Sequence, residues 1–185
     1  MEDFLNEARK LAYSESEKTK MPVKLHIDLA TEKGISLAKN LGANEKIVEA
    51  GTLLMDCALG QALKENRRED HVTMSADKAN ELLSKFSLTE EEKENIRHCV
   101  LEHHGAEKFY SLESEICCNA DCYRFASTRG FFSYVKDSRD MSFEDLVVLL
   151  KNKADEKWNA ISIDMVKKEL EPEYKLIVEI LKHLK

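Results

Sequence analysis

The hydrophobic residues of this chain recur at intervals of three and four positions, which is the spacing of an amphipathic α-helix. This spacing runs through almost every segment, whereas no stretch alternates convincingly between hydrophobic and polar residues as a β-strand would. Only two prolines and six glycines occur in 185 residues, so long segments are unbroken. The pattern therefore predicts an all-α fold, a bundle of about seven to nine helices.

Capping residues and a helix breaker set the expected bounds of these helices. Asn44 and Ser142 can each cap a helix, and Thr89 with Glu92 has the form of a capping box. Pro172 predicts an interruption in the last helix. The predicted helices cover residues 2–18, 23–41, 44–63, 75–86, 89–104, 112–128, 142–158 and 162–184.

The segments between the helices give no sign of a second domain, since there is no repeat, linker or low-complexity stretch. We expect one domain over residues 1–185, with its core at about 22–128 and C-terminal helices at 142–184. The polar residues 64–70 are interpreted as a loop, and residues 129–132 as a turn or a short helix. The last helix could pack on its own domain or on a second copy, which leaves a homodimer open.

The charge and cysteine content narrow the classes of partner. The formal net charge is −7 and the pI is near 5.5, with acidic and basic residues mixed along the chain. Duplex nucleic acid or an anionic membrane would favour a basic face, so we expect neither as a partner. The five cysteines are an odd number and no secretory signal precedes them, which indicates a reduced, cytoplasmic protein. No apolar run approaches the roughly 18 residues of a membrane span.

One carboxylate stands inside an apolar helical run, Asp56 within Leu53–Ala58. A buried, ionised carboxylate loses its hydration and is tolerated only beside a cation or a metal ion. Oxygen and imidazole ligands for such an ion are available elsewhere on predicted helices or at their ends. These candidates are His26, His71, His103, His104 and Asp121. A thiolate site at Cys117, Cys118 and Cys122 is disfavoured, because their spacing matches no zinc pattern and small buried side chains are the simpler interpretation.

The order of these residues resembles the HD superfamily of metal-dependent phosphohydrolases. The ordered set is His26, Asp56 after Ala-Gly-Thr-Leu-Leu-Met, His71, the segment from Ile96 to His104, and Asn119-Ala120-Asp121. The resemblance covers about residues 22 to 182. It implies an HD-type helical bundle and a divalent metal ion such as Mn, Fe, Co, Ni or Mg. The implied activity is hydrolysis of a nucleotide or another small phosphoester by metal-activated water.

The resemblance also implies a ligand set. One ion would be held by His26, Asp56 and Asp121, but Met55 stands where the family has the histidine of its His-Asp pair. A thioether is a weak ligand for hard cations, so this set is one ligand short. A second ion would be held by Asp56, His71 and one of His103 and His104, since adjacent helical residues point about 100° apart. Whether one ion or two bind stays open.

Basic residues near these ligands are candidates for gripping the substrate's phosphate. Arg124 follows Asp121 by three residues, and Arg67 and Arg68 lie in the polar loop. The main alternative is a degenerate HD-domain protein that lost turnover at Met55 and serves as a ligand-binding or regulatory module. A further alternative is a helical interaction protein with no site, in which Asp56 merely pairs with an Arg or a Lys.

Overall fold

The computed structural model of the protein describes residues 1–138 and 141–184. Helices make up nearly all of the regular structure of these residues. A 3-10 turn lies at Arg68–Asp70. The helices are α1 (Glu2–Thr19), α2 (Lys24–Leu41), α3 (Glu45–Leu54), α4 (Leu59–Lys64), α5 (His71–Leu83), α6 (Glu90–Leu101), α7 (Leu112–Ala126), α8 (Thr128–Asp137), α9 (Phe143–Ala160) and α10 (Asp164–Lys182). The all-α prediction is confirmed.

Side-chain caps fix several helix starts where the sequence places them. The Asn44 side chain accepts hydrogen bonds from the N–H groups of Lys46 and Ile47 at the start of α3. Thr89 and Glu92 form the predicted capping box of α6, and Ser142 caps α9. Each cap satisfies N–H groups that have no partner inside the helix, so these boundaries are set by local chemistry.

Two predictions about where a helix is continuous are wrong. The predicted helix 44–63 is broken after Leu54, and the hydroxyl of Ser75 accepts a 3.1 Å hydrogen bond from the N–H of Ala58 in the turn that separates α3 from α4. α10 is not interrupted: it runs from Asp164 to Lys182 with Pro172 inside it. Pro172 and Lys168, the residue one turn earlier, are both exposed. Water can therefore bind the Lys168 carbonyl, which a proline at 172 leaves without an N–H donor.

α7 is the central helix, with twelve of its fifteen residues buried. It packs against α2 and α3 on one side and against α9 on the other. α3 approaches α6 closely at Gly51, where an added Cβ would lie 2.4 Å from the Cβ of Cys99. In α10, Ile177 and Leu181 pack inward in a cluster with Leu150 and Phe131, so the last helix buries part of its apolar face within the chain.

The length and hydropathy of the helices bear on whether one of them could span a membrane. None of those described at residues 1–138 and 141–184 combines the length and the apolar character needed to cross a bilayer.

Candidate metal centre

Asp56 lies in the turn between α3 and α4 and is 6% exposed. Its Oδ2 accepts a hydrogen bond from Nη1 of Arg124. Its Oδ1 is buried and has no hydrogen-bond partner among the described residues. The Nε2 atoms of His71 and His103 each lie 3.5 Å from this oxygen. The predicted need of Asp56 for a positive partner is therefore met on one oxygen only.

Backbone carbonyls orient the two imidazoles that face Asp56. Nδ1 of His71, the first residue of α5, lies 2.6 Å from the carbonyl oxygen of Arg68. Nδ1 of His103, in the turn after α6, lies 2.6 Å from the carbonyl oxygen of Val100. Because a carbonyl only accepts, each Nδ1 carries the hydrogen and each Nε2 presents a lone pair. This tautomer is the one found in metal-binding histidines.

His104 completes the cluster. Its Nε2 lies 3.0 Å from Nε2 of His71, and its Nδ1 lies 2.8 Å from Nζ of Lys157 and 3.3 Å from Oε1 of Glu156. The prediction that only one of His103 and His104 faces the site is wrong. α6 ends at Leu101, so the helical rotation of 100° per residue no longer applies at these two positions.

The four side chains fit a divalent cation. Asp56, His71, His103 and His104 each offer one ligand atom, and these atoms lie within 4.8 Å of one another. Ligand atoms bound at about 2.0–2.1 Å to one tetrahedral ion are about 3.3–3.4 Å apart. The measured separations of 3.0 and 3.5 Å bracket that value. Three imidazoles and one carboxylate suit Zn, Fe, Co, Ni or Mn.

Burial prepares the imidazoles for this role. It lowers the pKa of His71 and of His104 below the ordinary histidine value, so both rings are neutral at pH 7. Burial alone would raise the pKa of Asp56, but the charge of the Arg124 guanidinium holds that pKa well below its usual range. A charged carboxylate beside neutral imidazoles is the protonation state that a metal ion requires.

Asp121 is neutralised by cations of the chain itself. Nη1 of Arg124 lies 2.6 Å from Oδ1 of Asp121, and Nζ of Lys157 lies 2.5 Å from Oδ2. Burial would raise the pKa of Asp121, but Lys157 and then Arg124 lower it strongly. Arg124, 6% exposed, therefore lies between Asp56 and Asp121, and its role in binding phosphate stays a prediction.

His26 lies in the first turn of α2 and is 1% exposed. Its Nε2 donates a 2.8 Å hydrogen bond to the carbonyl oxygen of Gly130, and its ring packs edge-on against Phe125 and face-on against Tyr134. Burial and the charge of Arg124 lower its pKa to about 4. Within the described residues, neither His26 nor Asp121 is part of the four-residue cluster. Their roles as ligands stay predictions.

A cavity of about 290 Å³ opens beside the cluster. His26, Asp56, His71, His104, Asp121 and Arg124 all contribute to its wall. Apolar side chains form much of the remaining wall, and they are Met21, Leu59, Leu63, Phe125, Tyr134, Met141 and Leu149. Arg68, Lys153 and Lys157 add positive charge. Arg67 is exposed and pairs with Glu65 and Asp70 instead.

Sequence reasoning missed Lys153 and Lys157 of α9. Lys157 is 3% exposed, and burial would lower its pKa, but Asp121 and then Glu156 raise it. A signal was present, because Leu150, Ala154 and Lys157 follow one another at helical spacing on the buried face of α9. A lysine on an apolar face requires an acidic partner, just as Asp56 requires a cation.

Searches of protein-family models and of curated proteins gave no match to this chain. Solved structures do match. A predicted HD superfamily hydrolase from an uncultured Thermotogales bacterium aligns with a TM-score of 0.68 and 14% identity, over 99% of this chain and 90% of that one. An HD-superfamily hydrolase from Bacillus thuringiensis aligns with a TM-score of 0.64 and 19% identity, over 98% and 95%.

A third neighbour is YpgQ from Bacillus subtilis, which aligns with a TM-score of 0.64 and 16% identity, over 98% of this chain and 94% of that one. YpgQ has also been solved in complex with ADP. At these identities the likeness shows the fold alone. The chain therefore has the fold of the HD superfamily hydrolases, and the resemblance noted from the sequence is confirmed at that level.

Proposed function

We propose that this protein is a metal-dependent hydrolase of small phosphoric esters. The observation that carries the proposal is that Oδ1 of Asp56 and Nε2 of His103, 3.5 Å apart, are both buried and make no hydrogen bond within the described residues. Leaving two such polar atoms unpaired costs about 1–3 kcal/mol each. An ion bound between them and His71 removes that cost. His104 joins this set when its ring hydrogen moves from Nε2 to Nδ1, where Oε1 of Glu156 lies 3.3 Å away and can accept it.

A divalent cation held there supplies Lewis acidity and lowers the pKa of a nearby water. The chain's own residues do the rest. Asp56 keeps its negative charge because Arg124 holds it ionised, and His71 and His103 are fixed by backbone carbonyls. The apolar wall beside the cluster excludes bulk water, which strengthens the attraction between the site and an anionic substrate.

The cavity favours a substrate that combines a phosphate with an apolar or aromatic part. Arg68 and Lys153 line it beside His71 and can bind phosphate oxygens. The rings of Phe125 and Tyr134 offer a surface for a nucleobase. A volume of about 290 Å³ suits a small ligand, and ADP is bound by YpgQ, which shares the fold. We therefore propose a nucleotide or a similar phosphoester as the substrate.

The test is metal content and hydrolysis measured on one preparation. Protein purified without chelator is assayed for metal by mass spectrometry. It is then incubated with Mn²⁺, Co²⁺, Ni²⁺ or Mg²⁺ and a generic phosphodiester, a phosphomonoester and a panel of nucleotides. We expect hydrolysis that Asp56→Asn lowers more than about 100-fold, since a ligand contributes more than its supporting residues do. Arg68→Gln should raise KM more than it lowers kcat.

Asp70→Asn is the matched control, because Asp70 is an exposed acid whose partner is Arg67. Its activity should equal that of the unaltered protein. Metal-free protein that hydrolyses none of these substrates with any of the four ions contradicts the proposal.

A second candidate is a protein that binds the same ligand without turnover. The ion-paired state of Asp121 favours it, because neither oxygen of that carboxylate is free to take a proton from water. Titration calorimetry with nucleotides separates the two candidates. Metal-dependent binding with a dissociation constant in the micromolar range and no product after hours would establish the second one.

A further inference from the structure

The two buried acids of the site offer four carboxylate oxygens, and three of them already face a positive charge. Oδ2 of Asp56 and Oδ1 of Asp121 both contact Arg124, and Oδ2 of Asp121 lies 2.5 Å from Lys157. Within the described residues, Oδ1 of Asp56 is the one of the four oxygens that contacts neither Arg124 nor Lys157, and it faces the imidazoles of the cluster. Oδ1 of Asp56 is therefore the carboxylate oxygen that can bind a metal ion.

A single nitrogen holds the two acids together. Nη1 of Arg124 contacts both Oδ2 of Asp56 and Oδ1 of Asp121, the second at 2.6 Å. Metal ions bind carboxylate oxygens at about 2.0–2.6 Å. A metal ion at the position of Nη1 would therefore be within bonding reach of the same two oxygens. The guanidinium occupies a place with the geometry and the surrounding charge of a cation site.

We propose that Arg124 is a built-in cation that takes the place of a second metal ion, so that the centre binds one divalent ion per chain. The inference rests on the proposed metal site at Asp56, His71 and His103. Arg124 is a positioning residue in this scheme. It holds Asp56 with Oδ1 toward the imidazoles and keeps Asp121 out of the ligand set.

Lys157 completes the arrangement from a different helix. It lies against the other oxygen of Asp121, so both oxygens of this carboxylate face a cation of the chain without any metal ion. Asp56, Asp121, Arg124 and Lys157 together carry no net charge. One divalent ion added to these four side chains gives the site an excess of positive charge, which favours a phosphate. Two divalent ions added to Arg124 and Lys157 would place six positive charges beside the three carboxylates of Asp56, Asp121 and Glu156, an excess that the buried site cannot compensate.

The experiment counts ions. The unaltered protein, Arg124→Met and Arg124→Lys are dialysed against saturating Mn²⁺, and Mn²⁺ per chain is measured by mass spectrometry and by EPR spectroscopy. We expect one ion in the unaltered protein and in Arg124→Lys, which keeps the positive charge. We expect two ions in Arg124→Met, with an EPR spectrum that differs from that of one isolated Mn²⁺.

Asp121→Asn gives a measurement that does not depend on whether Arg124→Met folds. Since Asp121 supports the site through Arg124 but is not a ligand in this scheme, the variant should still bind one Mn²⁺, with an affinity lowered by no more than about 10–100-fold. Two ions in the unaltered protein, or one in Arg124→Met, would overturn the inference and leave the proposed hydrolase intact. No ion in any of the proteins would overturn both.

Discussion

Replacing Lys157 with methionine tests the electrostatic reasoning most directly. Methionine keeps the apolar stem and removes the charge from a lysine that is 3% exposed, 2.5 Å from Oδ2 of Asp121, which is fully buried. Removing one partner of a buried ion pair costs about 3–5 kcal/mol, because the other charge stays buried without compensation. Asp121 retains Arg124, so we expect the lower end, about 3 kcal/mol.

For a chain of this length, each kcal/mol shifts the midpoint of thermal unfolding by about 2–4 °C. Lys157→Met should therefore lower Tm by about 6–12 °C, measured by calorimetry on chelator-treated protein at pH 7. Urea unfolding should show the same loss of free energy with an unchanged m-value. Adding Asp121→Asn removes the stranded charge, so the double variant should be more stable than Lys157→Met.

Lys151→Met is the matched control, since Lys151 lies on the same helix and is 54% exposed in its pair with Asp155. Exposed pairs contribute about 0–1 kcal/mol, so this variant should unfold close to the unaltered protein. If Lys157→Met were as stable as Lys151→Met, the ion pair would not support the fold as argued. The reasoning would fail equally if Asp121→Asn deepened the loss.

Three further outcomes are expected. His26 has a pKa of about 4 in the fold against about 6.5 unfolded, so the unfolded chain binds more protons between these values and stability should fall as pH drops from 6.5 to 4. Unfolding of His26→Phe should lack up to about 3 kcal/mol of that fall, and parallel pH profiles would contradict the assignment. Mn²⁺ at 100 times its dissociation constant should stabilise the protein by about 2.7 kcal/mol, which raises Tm by about 5–11 °C. Asp56→Asn should lack this rise, and equal rises in both proteins would exclude Asp56 as a ligand. Gly130→Ala should lose about 1–3 kcal/mol in urea, because a Cβ would lie 2.5 Å from the carbonyl oxygens of Tyr123 and Arg124; an unchanged midpoint would show that α8 shifts freely.

The helical fold could be predicted because its signals are local. The three- and four-residue spacing marks each apolar face, and caps such as Asn44 and Thr89 act on N–H groups two or three residues away. The break after Leu54 depends on Ser75, about twenty residues further along the chain. The continuity of α10 through Pro172 depends on solvent exposure. Neither condition can be read from a window of sequence.

The candidate site divides in the same way. Asp56 could be identified because a carboxylate in an apolar run needs compensation, and the structure supplies it through Arg124. The identity of the compensating group could not be deduced, since Arg124 and Lys157 meet the acids only after α7 and α9 pack. The expectation that one of His103 and His104 faces the site assumes that their helix continues, with about 100° between neighbouring side chains. α6 ends at Leu101, so this constraint does not hold at the two histidines.

The contact between Lys157 and Asp121 also bears on how the chain could be shortened or recombined. α9, near the C-terminal end, supplies part of the cavity wall and one of the two positive charges that neutralise Asp121. A truncation before Phe143 would remove Leu149 and Lys157 together, exposing the cavity and stranding Asp121. The two C-terminal helices, α9 and α10, therefore cannot be removed without affecting the site. Grafting it from another protein would preserve the site only if a basic residue arrived at the same position.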